Sequence, residues 1–170
     1  MSIKKHLQTL SKEQLIKQII ELNQKFNDVK TYYQYFINPS DKKVAEKYKK
    51  IIRKEFFPSR NEPGDAKLSV ARKAVNDFKK LSAPPEDLAD LMLYYVENGV
   101  EFTNDYGDIN EAFYSSMEKM YDNVCKLIAE NNLTDVFHSR CKKILDDTKN
   151  IGWGFHDSLG DSFYSYFKNQ

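Results

Sequence analysis

Apolar residues recur along this chain at helical spacing almost from end to end. Leu15, Ile19, Leu22, Phe26, Val29, Tyr33 and Phe36 step alternately by 4 and 3, the seam of one long helix or of two nearly continuous ones. Ser11 with Gln14 makes a capping box at its start, and Pro39 ends it. A second pattern, opened by Asp41, runs through Val44, Tyr48, Ile51, Ile52 and Phe56 and closes at Pro58. PSRNEPGDAK, residues 58–67, is the one long polar loop. Val70, Ala74, Val75, Phe78 and Leu81 mark a third helix.

Pro84 and Pro85 predict a helix start, since proline is tolerated in a first turn. Leu88, Leu91, Met92, Tyr95, Gly99 and Phe102 follow, up to Tyr106-Gly107. Gly99 on that apolar side predicts a close helix crossing. Asp108 with Glu111 reads as another capping box, ahead of Ile109, Phe113, Met117, Met120, Tyr121, Val124 and Ile128. Thr134 starts a shorter helix through Phe137, Cys141, Ile144 and Leu145. The last begins after Gly154, with Phe155, Leu159, Phe163 and Tyr166 inward. With no strand pattern, the expectation is an all-α single domain over 1–170, a bundle or short solenoid-like array of seven or eight helices.

Composition sharpens this picture. With 41% hydrophobic and 30% charged residues the chain reads as an ordinary globular domain, and eleven Tyr and eleven Phe predict an aromatic core. The opening MSIKKHLQTLSKEQ has no signal-like apolar run, and LMLYYV at 91–96 is far too short to span a bilayer. Cys125 and Cys141 lie outside any metal-ligand spacing, so buried, reduced thiols in the cytoplasm are expected. Net charge is only +1, but residues 1–83 hold 19 Lys/Arg against 9 Asp/Glu and residues 84–170 hold 7 against 16. Such halves attract charged partners or each other.

The segments VKTYYQYFINP, IIRKEFFP, LSVARKAVNDFKKL and ADLMLYYVENGVEF, in that order, resemble a bacterial family, the domain of unknown function family 6155. The resemblance runs over roughly residues 10–145. GWGFHDSLGDSFYSY is similar to the closing helix of certain bacterial helical-repeat proteins. These likenesses imply a bacterial, cytoplasmic, all-helical protein and bring no activity or site residue with them.

Three stretches carry candidate chemistry. In IGWGFHDSLGD, His156, Asp157 and Asp161 offer an imidazole and two carboxylates, a weak metal or acid–base candidate. The structural reading is stronger: Gly154 makes the turn, Asp157 favours the helix start, and Trp153 is a buried anchor. The second stretch, Glu86 to Asp122, holds ten acids and one base, Lys119, with Glu97, Glu101 and Asp105 on one helix face. No Glu-x-x-His pair is present, which argues against a di-metal bundle and for an acidic face docking a basic partner or the protein's own basic half. The third is KKVAEKYKKIIRKEFFPSR, where Lys43, Lys47, Lys50 and Lys54 share a face beside Arg53. That row suits phosphates, although lysine-rich solvated faces are common.

GxSxG, GxxxxGK[ST], GxGxxG after a strand and HExxH are all missing. The expected function is therefore a non-catalytic helical module that binds another protein, with no cofactor and no membrane contact. Nucleic-acid binding through the 42–60 helix is the alternative, and a metal-dependent enzyme at the tail the third reading.

Overall fold

A computed structural model describes residues 2–38, 42–59 and 62–167. Among them the chain forms nine helices and no strand. It divides into two compact units, Met1–Val44 and Ala45–Gln170, each described by itself.

The first unit holds α1 (Ile3–Leu7), α2 (Lys12–Lys25) and α3 (Asn27–Ile37). The Ser11–Gln14 capping box forms as read: the Ser11 hydroxyl accepts from the Gln14 N–H, and the Gln14 side chain accepts from the Ser11 N–H at 2.8 Å. Of the two readings of the seam, the chain takes two nearly continuous helices, because Phe26 is extended (φ −120°, ψ 116°). The seam residues are not a core. No residue of α2 is buried, and α3 buries Thr31 and Tyr35. Those two lie across the helix from Val29, Tyr33 and Phe36 at 100° per residue. Pro39 and Asp41, read as stop and start signals, fall outside the described residues.

The second unit takes in nearly all of α4 (Lys43–Phe56), then α5 (Leu68–Lys79), α6 (Pro85–Tyr106), α7 (Glu111–Glu130), α8 (Thr134–Asp146) and α9 (Phe155–Tyr166). Pro85 sits in the first turn of α6, as its fixed φ and missing N–H favour. α7 starts two residues later than its predicted box: Asn110, not Asp108, accepts from the Phe113 N–H at 3.0 Å. Asp108 instead accepts from the Tyr114 hydroxyl at 3.0 Å.

α6 is the central element, buried on most of its circumference, with α5, α7 and α8 packed around it and α9 against α7 and α8. The core is aromatic. The Phe56 ring lies edge-on to Tyr95, Phe102 and Phe113 at centroid distances of 6.0, 5.8 and 6.5 Å. Buried hydroxyls are satisfied in pairs, Tyr95 with Ser116 at 2.9 Å and Tyr114 with Thr103 at 2.8 Å. Gly99 marks the expected crossing: a Cβ there would stand 2.3 Å from Met117 Sδ of α7.

Candidate functional site

The acidic stripe of α6 is neutralised from within the second unit. Arg140 projects from α8 beside the buried Phe137, Cys141 and Ile144. Its Nε and Nη2 donate to Glu97 at 2.6 and 2.7 Å, and its Nη1 donates to Asp90 at 2.5 Å. Lys49 of α4 reaches the other Asp90 oxygen at 2.7 Å. Burial pushes the Asp90 carboxyl up, but hydrogen bonds from Lys49 and Arg140 outweigh it and hold the group below its ordinary value. One turn further along α6, both terminal nitrogens of Arg53 donate to Glu101, and Nη1 also donates to Asn98 Oδ1 at 2.9 Å. Its guanidinium lies over the Phe57 ring, 3.9 Å from the centroid.

Glu97, half-buried, and Glu101, exposed, are thus paired with this fold's own cations. Asp105 stays exposed, within electrostatic reach of Arg53. Beside the clamp a groove of about 450 Å³ runs between α6 and α8, walled by Glu97, Glu101, Asp105, Lys143 and Asp147. Arg140 and Lys49 were not among the residues singled out from sequence. A signal for the first was present, since Arg140 is the only arginine after residue 83 and falls on the apolar face of its helix.

α4 divides its cations by face. Lys49 and Arg53 turn toward α6, while Lys43, Lys47, Lys50 and Lys54 form an exposed row, as their spacing predicts. Among the described residues no ion pair engages Lys47, Lys50 or Lys54, and Lys43 has interactions of its own.

The tail overturns one expectation. Trp153 is 61% exposed, whereas Phe155 is fully buried and lies 5.1 Å from the Tyr114 ring. The cause is backbone geometry. Trp153 (φ 64°) and Gly154 (φ 68°) are consecutive left-handed residues, which turn the indole outward, stacked on Tyr114 at 6.2 Å. Phe155 is the buried anchor. Gly160 is in ordinary contact with Leu145 and marks no close approach: a Cβ there would sit 3.9 Å away.

His156, in the first turn of α9, ties that helix to the end of α8. The buried Thr148 hydroxyl donates to the Leu145 carbonyl at 2.7 Å, which leaves its oxygen free to accept. His156 then carries its proton on Nδ1, donating to Thr148 Oγ1 at 2.9 Å, with the Leu145 carbonyl 3.1 Å away. Asp157 and Asp161 are exposed on α9. Among the described residues no three His, Cys, Asp or Glu side chains come together to hold a metal ion. A cavity of about 410 Å³ opens beside them, lined by Lys142, Asp146, Lys149 and Tyr164. There hydrogen bonds from Lys142 and Lys149 lower the Asp146 carboxyl to about 2, so the lysines are engaged too. Cys125 and Cys141 are buried thiols, and hydrogen bonding between them together with burial pushes Cys125 well above its ordinary value, the reverse of an activated nucleophile.

The described residues form an all-helical protein in which Asp90, Glu97 and Glu101 of α6 are paired with Lys49, Arg53 and Arg140. The chain belongs to the family of unknown function DUF6155, whose model matches residues 1–166. No curated protein and no solved structure matches it. Among the described residues no helix is long and apolar enough to cross a membrane.

Proposed function

We propose that this protein is a non-catalytic helical module that binds another protein, and that the apolar row on α2–α3 is its binding surface. One observation carries the reading: none of the seven seam residues is buried. Ile19 is 41% exposed, Leu22 45%, Phe26 53% and Phe36 65%, with Ile16, Ile20 and Ile37 exposed alongside. Contiguous apolar surface of this kind marks interaction sites in soluble proteins. The pairing of Glu97 with Arg140 and of Glu101 with Arg53 speaks for this surface over the acidic face.

Affinity capture of the tagged chain from cell lysate, with nuclease present, tests it against an Ile19→Asp/Leu22→Asp variant. The expected result is a protein, an untagged copy included, retained by the native chain and lost from the variant. Identical captures would overturn the assignment of this surface. Both positions are exposed, so the variant keeps the fold of the second unit.

A second reading draws on the division of α4. Among the described residues no ion pair engages Lys47, Lys50 or Lys54, while Lys49 and Arg53 are spent on α6, so the helix keeps a basic face for phosphates. Binding to a fluorescent duplex should then fall steeply with salt, and Lys47→Gln/Lys50→Gln/Lys54→Gln should remove about two to three units of the log–log salt slope. Duplex binding with an unchanged slope in the triple variant would reject it.

A further inference from the structure

We propose that the apolar row of α2–α3 is covered by the same row of a second copy of the chain, antiparallel, with α2 and α3 straightened into one helix. This rests on the protein-binding reading above and names the partner. In heptad terms Leu15, Leu22, Val29 and Phe36 occupy d positions, and Ile19, Phe26 and Tyr33 occupy a positions. The alternation of 4 and 3 passes through Phe26 without a stutter, although the backbone breaks there.

Little in the sequence holds that break open. Residues 24–28 contain neither proline nor glycine, and no side chain caps α3. Phe26 already donates to the Leu22 carbonyl at 2.9 Å and accepts from the Lys30 N–H at 3.0 Å, as it would in a helix. Rotating its ψ from 116° to a helical value lets the N–H groups of Asn27, Asp28 and Val29 join the i→i−4 ladder. The continuous helix, residues 12–37, is about 39 Å long at 1.5 Å per residue. The buried Thr31 and Tyr35 lie on its opposite face, so covering the row leaves them in place.

Flanking residues choose the direction. In a parallel, in-register pair, Lys25 at g faces Lys30 at e of the second copy, and like charges meet. In the antiparallel pair that sets Phe26 against Val29, Ile16 meets Ile37, Asn23 meets Lys30 and Lys25 meets Tyr32. No like charges oppose one another, and Ile16 and Ile37, 47% and 68% exposed, cover each other.

Sedimentation equilibrium of the full chain should give twice 19.9 kDa, and the Ile19→Asp/Leu22→Asp variant should lose the dimer with the melt of its second unit unchanged. Direction is read by mixing differently tagged Ile16→Cys and Ile37→Cys chains with a short bismaleimide, the native thiols being buried. Links between position 16 of one copy and position 37 of the other are expected. Links only from 16 to 16 and 37 to 37 would overturn the antiparallel register. A monomeric native chain would overturn the second copy as partner. If that monomer still captures a lysate protein that the Ile19→Asp/Leu22→Asp variant loses, the binding surface stands; if capture is unchanged, both readings fall.

Discussion

Phe155 fills the space between α7 and α9, so Phe155→Ala should cost about 3–5 kcal/mol through lost burial and the void left behind. Trp153→Ala, two residues away, removes a ring with one covered face and should cost about 1 kcal/mol or less. Thermal melts of the two variants give the comparison, and an equal loss would contradict the exposed indole. The apolar spacing of the tail already held half of this, because Phe155, Leu159 and Phe163 fall inward as their period predicts. The rest was hidden because side-chain size does not reveal backbone handedness. A tryptophan beside glycines reads as a packed anchor until its own φ is seen to be positive. Gly99 was legible for the complementary reason: on an apolar helical face, a missing side chain has few meanings besides close approach.

Among elements, the well-read ones are those whose signals are local. Pro84-Pro85 opens α6, Gly107 follows its end, and Ser11 with Gln14 starts α2, because caps and prolines act within one turn. The start of α7 was misplaced when two side chains competed for the same cap: Asn110 took it, and Asp108 was held by Tyr114. The largest departure is the α2–α3 seam. Periodicity tells which face of a helix is apolar, but not whether the covering surface belongs to the same chain. A stripe with heptad spacing is the pattern for which that distinction matters most.

At the scale of the molecule, the opposed charge of the two halves becomes a clamp. Lys49 and Arg53, from the basic half, fasten α4 to α6, and Arg140 fastens α8 to the same stripe. Arg140→Ala should destabilise the fold by about 2 kcal/mol, since it leaves half-buried Glu97 and Asp90 short of a partner. The clamp also sets the response to acid. Asp90 is held below its ordinary value in the fold, so the unfolded chain binds that proton more readily. Its stabilising effect is complete above the ordinary carboxyl range, near about 3.9, and drains away as pH falls through the lower folded value. Melting temperature followed from neutral pH downward should show that loss, and Asp90→Asn should be less stable at neutral pH with a shallower acid limb. An acid limb of native steepness in the variant would remove Asp90 from the account.

The paired thiols of α7 and α8 have a consequence of another kind. Cys125 and Cys141 lie where α8 closes over α7, both fully shielded, with the Tyr121 hydroxyl bonded to the Cys141 carbonyl at 2.9 Å. An alkylating reagent therefore meets them only after α8 has lifted away. The rate of their labelling is a clock for that opening, built into the chain, and it needs no introduced residue.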